Sequence, residues 1–316
     1  MVDLIEYERG AQVAVSPRGL SRFRSMPVSK IISALFRDPR HFQITALSTL
    51  VLLGAFYYAF GLPLWHVLSC VGSTVATQFV GDKITGRRFD ARSPLISALS
   101  ITLLLRTGSI WLSLAAGIIA IGSKYVVRWR GKHIFNPANV ALVILALAFD
   151  SAWVSPGQWG AAPWLAIALF GVGGAVTKKA SRWDVSLAFL ASYAALVLAR
   201  ALWLGDPLSI PVHQLQSGAL LVFAFFMISD PKTTPNARLA RVIYAALVAI
   251  VGFTIQFALF KSAGVIFALV LTAPLVPFFD NLFPASRYYW PNQIRKPVSQ
   301  SPVAQPEGVS HDTVQT

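Results

Sequence analysis

Two polar segments interrupt an otherwise apolar chain, and their residue types suit ligand chemistry. The first reads Gly131-Lys132-His133-Ile134-Phe135-Asn136-Pro137-Ala138-Asn139. Asn136 can cap a helix through its side-chain oxygen, and Pro137 suits the first helical position. The free amides and positive end of such a helix favour an anion, with Lys132 and His133 beside it. A phosphate or an electron-rich ring edge suits that place; the plainer reading is a helix cap with a basic membrane flank. The second segment reads Phe225-Phe226-Met227-Ile228-Ser229-Asp230-Pro231-Lys232-Thr233-Thr234-Pro235. It sets one carboxylate and three hydroxyls next to two aromatic rings. Asp230 could bind a cation or accept a ring N–H; the plainer reading is a helix stop followed by a turn.

The elements that must position these segments are membrane helices. Of the 316 residues, 55% are hydrophobic and only 13% are charged, about half the charge of a soluble domain. Ten apolar stretches follow one another: Phe42–Gly61, Pro63–Gly81, Pro94–Leu105, Ser109–Val126, Pro137–Val154, Trp159–Val176, Asp184–Leu204, Ser217–Ile228, Leu239–Phe260 and Ser262–Phe279. Most are long enough to cross a bilayer. The first follows a polar lead and has no small-residue cleavage site, so it does not read as a secretory signal.

The net charge of +14 does not mark a nucleic-acid binder, because the charge alternates with the spans. Of the 27 Lys and Arg residues, 24 fall before the first span, in every second loop, or in the tail. Arg106, Arg200 and Lys261 lie at the other ends. That alternation is the positive-inside pattern, which places both termini in the cytoplasm of a multi-pass protein of the cell (inner) membrane. Short basic flanks of this kind do not make one nucleic-acid surface.

Two spans in matching places are short. The third opens at Ser93-Pro94 and runs only to Leu105; the eighth begins near Ser217 and closes at Asp230-Pro231. A helix of 12 residues covers about 18 Å of a hydrocarbon core about 30 Å thick. Such a span needs partner backbone or a ligand to complete the crossing. With five spans per half the second half is inverted relative to the first. Short, proline-bounded spans in corresponding positions of two inverted halves point to a binding site between them. The organisation expected is therefore a cytoplasmic segment 1–41, a first five-helix repeat 42–154, a second 155–283, and a largely disordered cytoplasmic tail 284–316. Val28, Ile31, Ile32, Leu35 and Phe36 recur at helical spacing between basic residues, which reads as an amphipathic interfacial helix or a packing helix.

At the two polar segments the chain resembles a known family. "GKHIFNPAN" and "SGALLVFAFFMISDPKTTP", continued by "ARLARVIY", resemble the RnfD membrane component of the Rnf electron-transport complex and the NqrB component of the sodium-translocating NADH:quinone reductase. "SPLISALSITLLL" and "APLVPFFDNL" fit the same pattern, so that the likeness runs through about residues 60–290 in order. The resemblance implies an all-α polytopic fold of ten spans in two inverted five-helix repeats, like that of urea-transporter-type channels. It also implies flavin binding and electron transport, coupled to sodium or proton translocation, beside partner membrane or redox subunits.

One departure matters. The family attaches FMN to the threonine of a Ser-Gly-Ala-Thr motif between spans 5 and 6, whereas here Asp150–Trp159 holds no threonine. Ser217-Gly218-Ala219-Leu220 ends in leucine and belongs to span 8. Covalent FMN is therefore not expected. The resemblance leaves room for a non-covalent FMN or riboflavin, and stand-alone relatives without the attachment motif occur, some in enediyne biosynthetic clusters. The residues the resemblance brings to such a flavin are Phe135, Asn136 and Asn139 from span 5 and Ser229, Asp230 and Thr233 from span 8, with Lys132 offsetting phosphate charge.

Other chemistries lack their residues. The single cysteine, Cys70, cannot hold a four-cysteine iron–sulfur cluster. His66 and His213 near the outer span ends allow a haem pair or, more plainly, interfacial histidines. No catalytic triad, phosphate-cradling glycine loop or metal cluster stands out. A conduit for small solutes or ions, with Ser97, Ser100 and Ser217 facing a pore, is the alternative function. A membrane anchor for a soluble partner is the second alternative.

Overall fold

Proline and capping residues start the helices where the polar segments end. In the computed structural model, which describes residues 38–58, 60–155 and 163–290, Asp38 caps α1 (Pro39–Phe56) by accepting from the Arg40 N–H at 3.0 Å. The candidate interfacial helix before Asp38 and the tail beyond Trp290 lie outside the described residues. After α1 come α2 (Leu64–Ile84), α3 (Arg92–Leu104), β1 (Leu105–Thr107), α4 (Ile110–Val126), the hairpin β2 (Arg128–Trp129) and β3 (Lys132–His133), α5 (Pro137–Ala148) and β4 (Ala152–Val154). The second half holds α6 (Pro163–Lys179), α7 (Trp183–Leu204), α8 (Ser209–Leu215), α9 (Gly218–Val222) leading into a π-turn at Phe223–Met227, α10 (Arg238–Phe257), α11 (Gly264–Thr272) and α12 (Val276–Leu282).

The apolar stretches are helical, but several are shorter than the sequence suggests. Trp183–Leu204, Arg238–Phe257 and Gly264–Leu282 are long and apolar enough to cross a membrane, and the bent pair Ser209–Leu215 and Gly218–Met227 makes a fourth. The stretch Pro137–Val154 is a 12-residue helix followed by a strand, not one continuous helix. α3 and α5 both stop short, and the chain after each turns extended. β1 pairs antiparallel with β4, Leu105 opposite Val154 and Thr107 opposite Ala152. This pairing supplies partners for backbone groups that two short helices leave open.

α2 packs on α4, and α7 on α10. α1 meets α6, and α5 meets α11. α10 and α11 come close at Gly264, where an added Cβ would stand 2.5 Å from the Gly252 carbonyl oxygen. Large apolar side chains face outward in number, among them Trp111, Leu147, Ile167, Trp203 and Phe260. Polar ones such as Ser97, Ser100, Asn139 and Ser186 are buried. That inversion of the soluble pattern suits a lipid-facing surface.

Candidate functional site

The two polar segments meet at the end of the bundle that carries the basic loops. Arg130 and Gly131, both with positive φ, form the two-residue turn of the β2–β3 hairpin. This turn suits the strand twist and hands the chain to α5. Asn136 then caps α5: its side-chain oxygen accepts from the Asn139 N–H at 3.1 Å, with Pro137 in the first turn.

The span from Gly218 to Met227 is short and widened by its π-turn, so its last carbonyls lose regular helix partners. Side chains from other helices take them. Ser186 of α7 donates to the Ala224 carbonyl at 2.6 Å, Gln43 of α1 to Phe226 at 3.3 Å, and Asn136 to Met227 at 3.2 Å. Ser229 donates back to Phe225 at 2.5 Å. Phe225 lies against Gly173 of α6, where an added Cβ would stand 2.5 Å from the Phe225 ring.

Beyond this turn is a cavity of about 70 Å³ lined by Ser93, Ser97, Asn136, Phe226, Ser229 and Asp230. It shares Arg40, Ser93, His133, Lys232 and Trp290 with a wider vestibule of about 690 Å³. The structure thus brings together Asn136, Ser229 and Asp230. Lys132 faces the vestibule, but its ammonium is bonded to Asp280 at 2.9 Å and to the Thr234 carbonyl at 2.6 Å. Asn139 is fully buried and donates to the Ile266 carbonyl of α11 at 2.8 Å, so it joins the halves rather than lining the cavity. Thr233 is buried in the turn after Asp230, its N–H bonded to the Asp230 carbonyl at 3.1 Å. Phe135 precedes the cap and lines neither space.

Burial raises the Asp230 carboxyl above the usual carboxylate range, against the Lys232 backbone N–H, which donates to Oδ1 at 2.9 Å, and nearby cations. Burial, then the charges of Lys124, Arg128, Lys232 and Lys132, press His133 down to about 3, which keeps its ring neutral. Asp90, by contrast, is carried down to about 2: burial opposes this, but bonds and charge from Arg92 and Arg40 outweigh it.

Several participants are not apparent from sequence. Gln78, Asp82 and Tyr125 bond to one another at 2.7–2.8 Å, and Lys124 donates to Gln78 Oε1 at 2.7 Å and Ser93 Oγ at 2.8 Å. Pro284–Trp290, expected as the start of a loose tail, includes three successive rings docked on cations. Arg182 lies 5.1 Å from the Tyr288 ring centroid, Lys232 lies 5.2 Å from Tyr289, and Arg40 lies 4.8 Å from Trp290. Among the described residues no group of three or more His, Cys, Asp or Glu could hold a metal ion.

At the opposite end a separate cavity of about 320 Å³ is lined by Tyr193, Gln214, Ser217, Leu220 and Gln256, among others. Between Leu220 and Phe225, residues Leu221, Val222, Phe223 and Ala224 are all buried.

Comparison with known proteins finds likeness in the later part of the chain. The profile of the NQR2, RnfD, RnfE family matches residues 152–288. The chain is 34% identical over 123 residues to the RnfD component of the ion-translocating oxidoreductase complex of Escherichia coli O1:K1 / APEC, a stretch that covers 39% of this chain and 34% of that protein. Its counterpart in Escherichia coli O127:H6 (strain E2348/69 / EPEC) gives the same figures, and that of Escherichia coli O9:H4 (strain HS) is 33% identical over 123 residues, again 39% and 34% of the two chains. The chain thus matches about a third of the length of these relatives. Residues 152–288 thus match the profile of the NQR2, RnfD, RnfE family, in a mostly helical chain whose long apolar helices suit a multi-pass membrane protein.

Proposed function

We propose that the chain is the membrane subunit of a flavin-dependent electron-transport system, holding its flavin without a covalent bond between the two halves and working beside partner subunits that translocate an ion. The observation that carries this reading is the convergence of Asn136, Ser229 and Asp230 on one cavity below a cation-lined vestibule. The deep cavity has room for a few waters. The vestibule, at about 690 Å³, falls within the usual range of roughly 300–1,000 Å³ for cofactor sites. A three-ring flavin therefore fits the vestibule with one edge toward Asp230. There Asp230 accepts a ring N–H, Ser229 and neutral His133 lend weak polar contacts, and Trp290 offers an aromatic face. A bound flavin supplies the redox chemistry, and this chain binds and orients it.

The ten-span, inverted-repeat arrangement in the inner membrane, with both termini cytoplasmic, belongs to the same reading. It draws support from the matching α2–α4 and α7–α10 pairs and from the meeting of α1 with α6 and of α5 with α11. Residues 150–155 include no threonine for covalent attachment, and 156–162 lie outside the described residues.

Titration of detergent-purified protein with riboflavin, followed by flavin fluorescence, tests the proposal. The expected result is saturable binding that Asp230→Asn weakens or shifts in midpoint potential, with no solute flux in liposomes. Flux without flavin binding would overturn it.

A further inference from the structure

We propose that the vestibule is a phosphate site in which Lys124 and Arg128 donate to the oxygens of a phosphate group. Eight Lys and Arg side chains line this space against two carboxylates, Asp82 and Asp90. Part of that charge is already met: Arg40 pairs with Asp38 and Asp90, and Lys132 with Asp280. Lys124 and Arg128 differ from both. Neither makes an ion pair among the described residues. Lys124 spends two of its three N–H groups on the neutral Gln78 and Ser93 oxygens. Arg128 donates through Nη2 to the Gly131 carbonyl at 2.6 Å, while its Nε is buried without an acceptor among the described residues.

A merely topological role for these cations would leave them extended into water, as positive-inside flanks are. Here Lys124 is instead fastened in place by α2 and α3, with a donor to spare beside an orphaned guanidinium donor. Buried donors without acceptors are costly unless an anion completes them. A phosphate monoester brings close to two negative charges and three acceptor oxygens, and a phosphodiester one charge and two such oxygens; either is enough for both donors. It also suits a space of about 690 Å³, which far exceeds a halide. The phosphate role expected of Lys132 thereby passes to residues that carry no carboxylate partner.

The phosphate has two sources of the same chemistry: a phosphorylated flavin, a version that rests on the flavin reading above, or an anionic lipid headgroup. The test uses full-length protein in detergent and in nanodiscs. FMN, riboflavin and inorganic phosphate are titrated into the wild type, Lys124→Gln and Arg128→Gln, and phosphatidylglycerol is compared with phosphatidylcholine. Size-exclusion profiles and riboflavin binding report whether the variants are folded.

If the source is the flavin, FMN binds about tenfold or more tighter than riboflavin, and each variant erases most of that margin while leaving riboflavin unchanged. If the source is a lipid, phosphatidylglycerol co-purifies with the wild type and is lost from the variants, and inorganic phosphate raises the melting temperature of the wild type alone. In that outcome the phosphate site stands even where no flavin binds. Equal binding of FMN and riboflavin, with no phosphate or lipid effect that Lys124 or Arg128 controls, overturns the site and leaves the flavin reading standing.

Discussion

The two short spans solve one shortage of length in different ways. α3 remains a regular helix through Leu104, and its end is completed outside the helix, by β1 pairing with β4. Ser97 donates within the element, to the Ser93 carbonyl at 3.3 Å. The span from Gly218 to Met227 instead widens into a π-turn, and side chains from three other elements finish it. One span keeps a regular helix to its end, and the other depends on side chains from neighbouring elements to finish it. The second is therefore the span whose geometry depends on the assembled bundle, and it ends at the one carboxylate of the cavity. π-turns recur at functional positions for this reason: they free carbonyls and re-aim side chains.

Substitutions that separate the two spans rank as follows. Gly173→Ala acts hardest, because the new methyl group overlaps Phe225 and must displace the π-turn; a loss of about 1–3 kcal/mol is expected, read as a lower melting temperature in detergent. Ser186→Ala leaves the buried Ala224 carbonyl without its donor. About 1–2 kcal/mol should be lost, together with weaker flavin binding, if the turn depends on its outside supports. Ser97→Ala on α3 removes only a bond inside its own helix, so stability should change by less than about 0.5 kcal/mol. Equal losses from Ser186→Ala and Ser97→Ala would erase the contrast.

Asp230 gives the comparison a pH signature. Burial raises its carboxyl in the folded protein. The folded state therefore holds its proton more tightly than the unfolded chain. The cost of the buried charge is full at neutral pH and is relieved as pH falls through the raised value. Asp90 runs the other way: its contribution is present above the ordinary carboxylate value and is lost as pH falls toward about 2. Asp230→Asn should thus be more stable than the wild type at neutral pH, and the gap should close on mild acidification. A gap that does not change between neutral pH and about pH 4 would contradict the burial assigned to Asp230.

Much of the site's frame is legible from local signals. The Asn136-Pro137 cap, the stop at Asp230-Pro231 and the shortness of the third and eighth spans rest on caps, prolines and apolar length, which act within a few residues. What escapes is set by packing. Asn139 reads as a ligand because it is polar and follows the cap, yet α11 lies close enough for it to bond the Ile266 carbonyl. Lys124 reads as one more flanking cation. It is held in place because Gln78 of α2 and Ser93 of α3 meet α4 at its ammonium. The π-turn has no sequence signature of its own, since it follows from Phe225 seated on Gly173 and from donors on three distant helices. The docking of Tyr288, Tyr289 and Trp290 on cations is equally non-local.

The central claim is a flavin held without a covalent bond, and a visible absorption spectrum of gently purified protein, recorded before and after acid precipitation, tests it most directly. Flavin bands that move to the supernatant are the predicted result. Bands that stay with the pellet, or a colourless protein after purification with excess riboflavin and FMN, would contradict it.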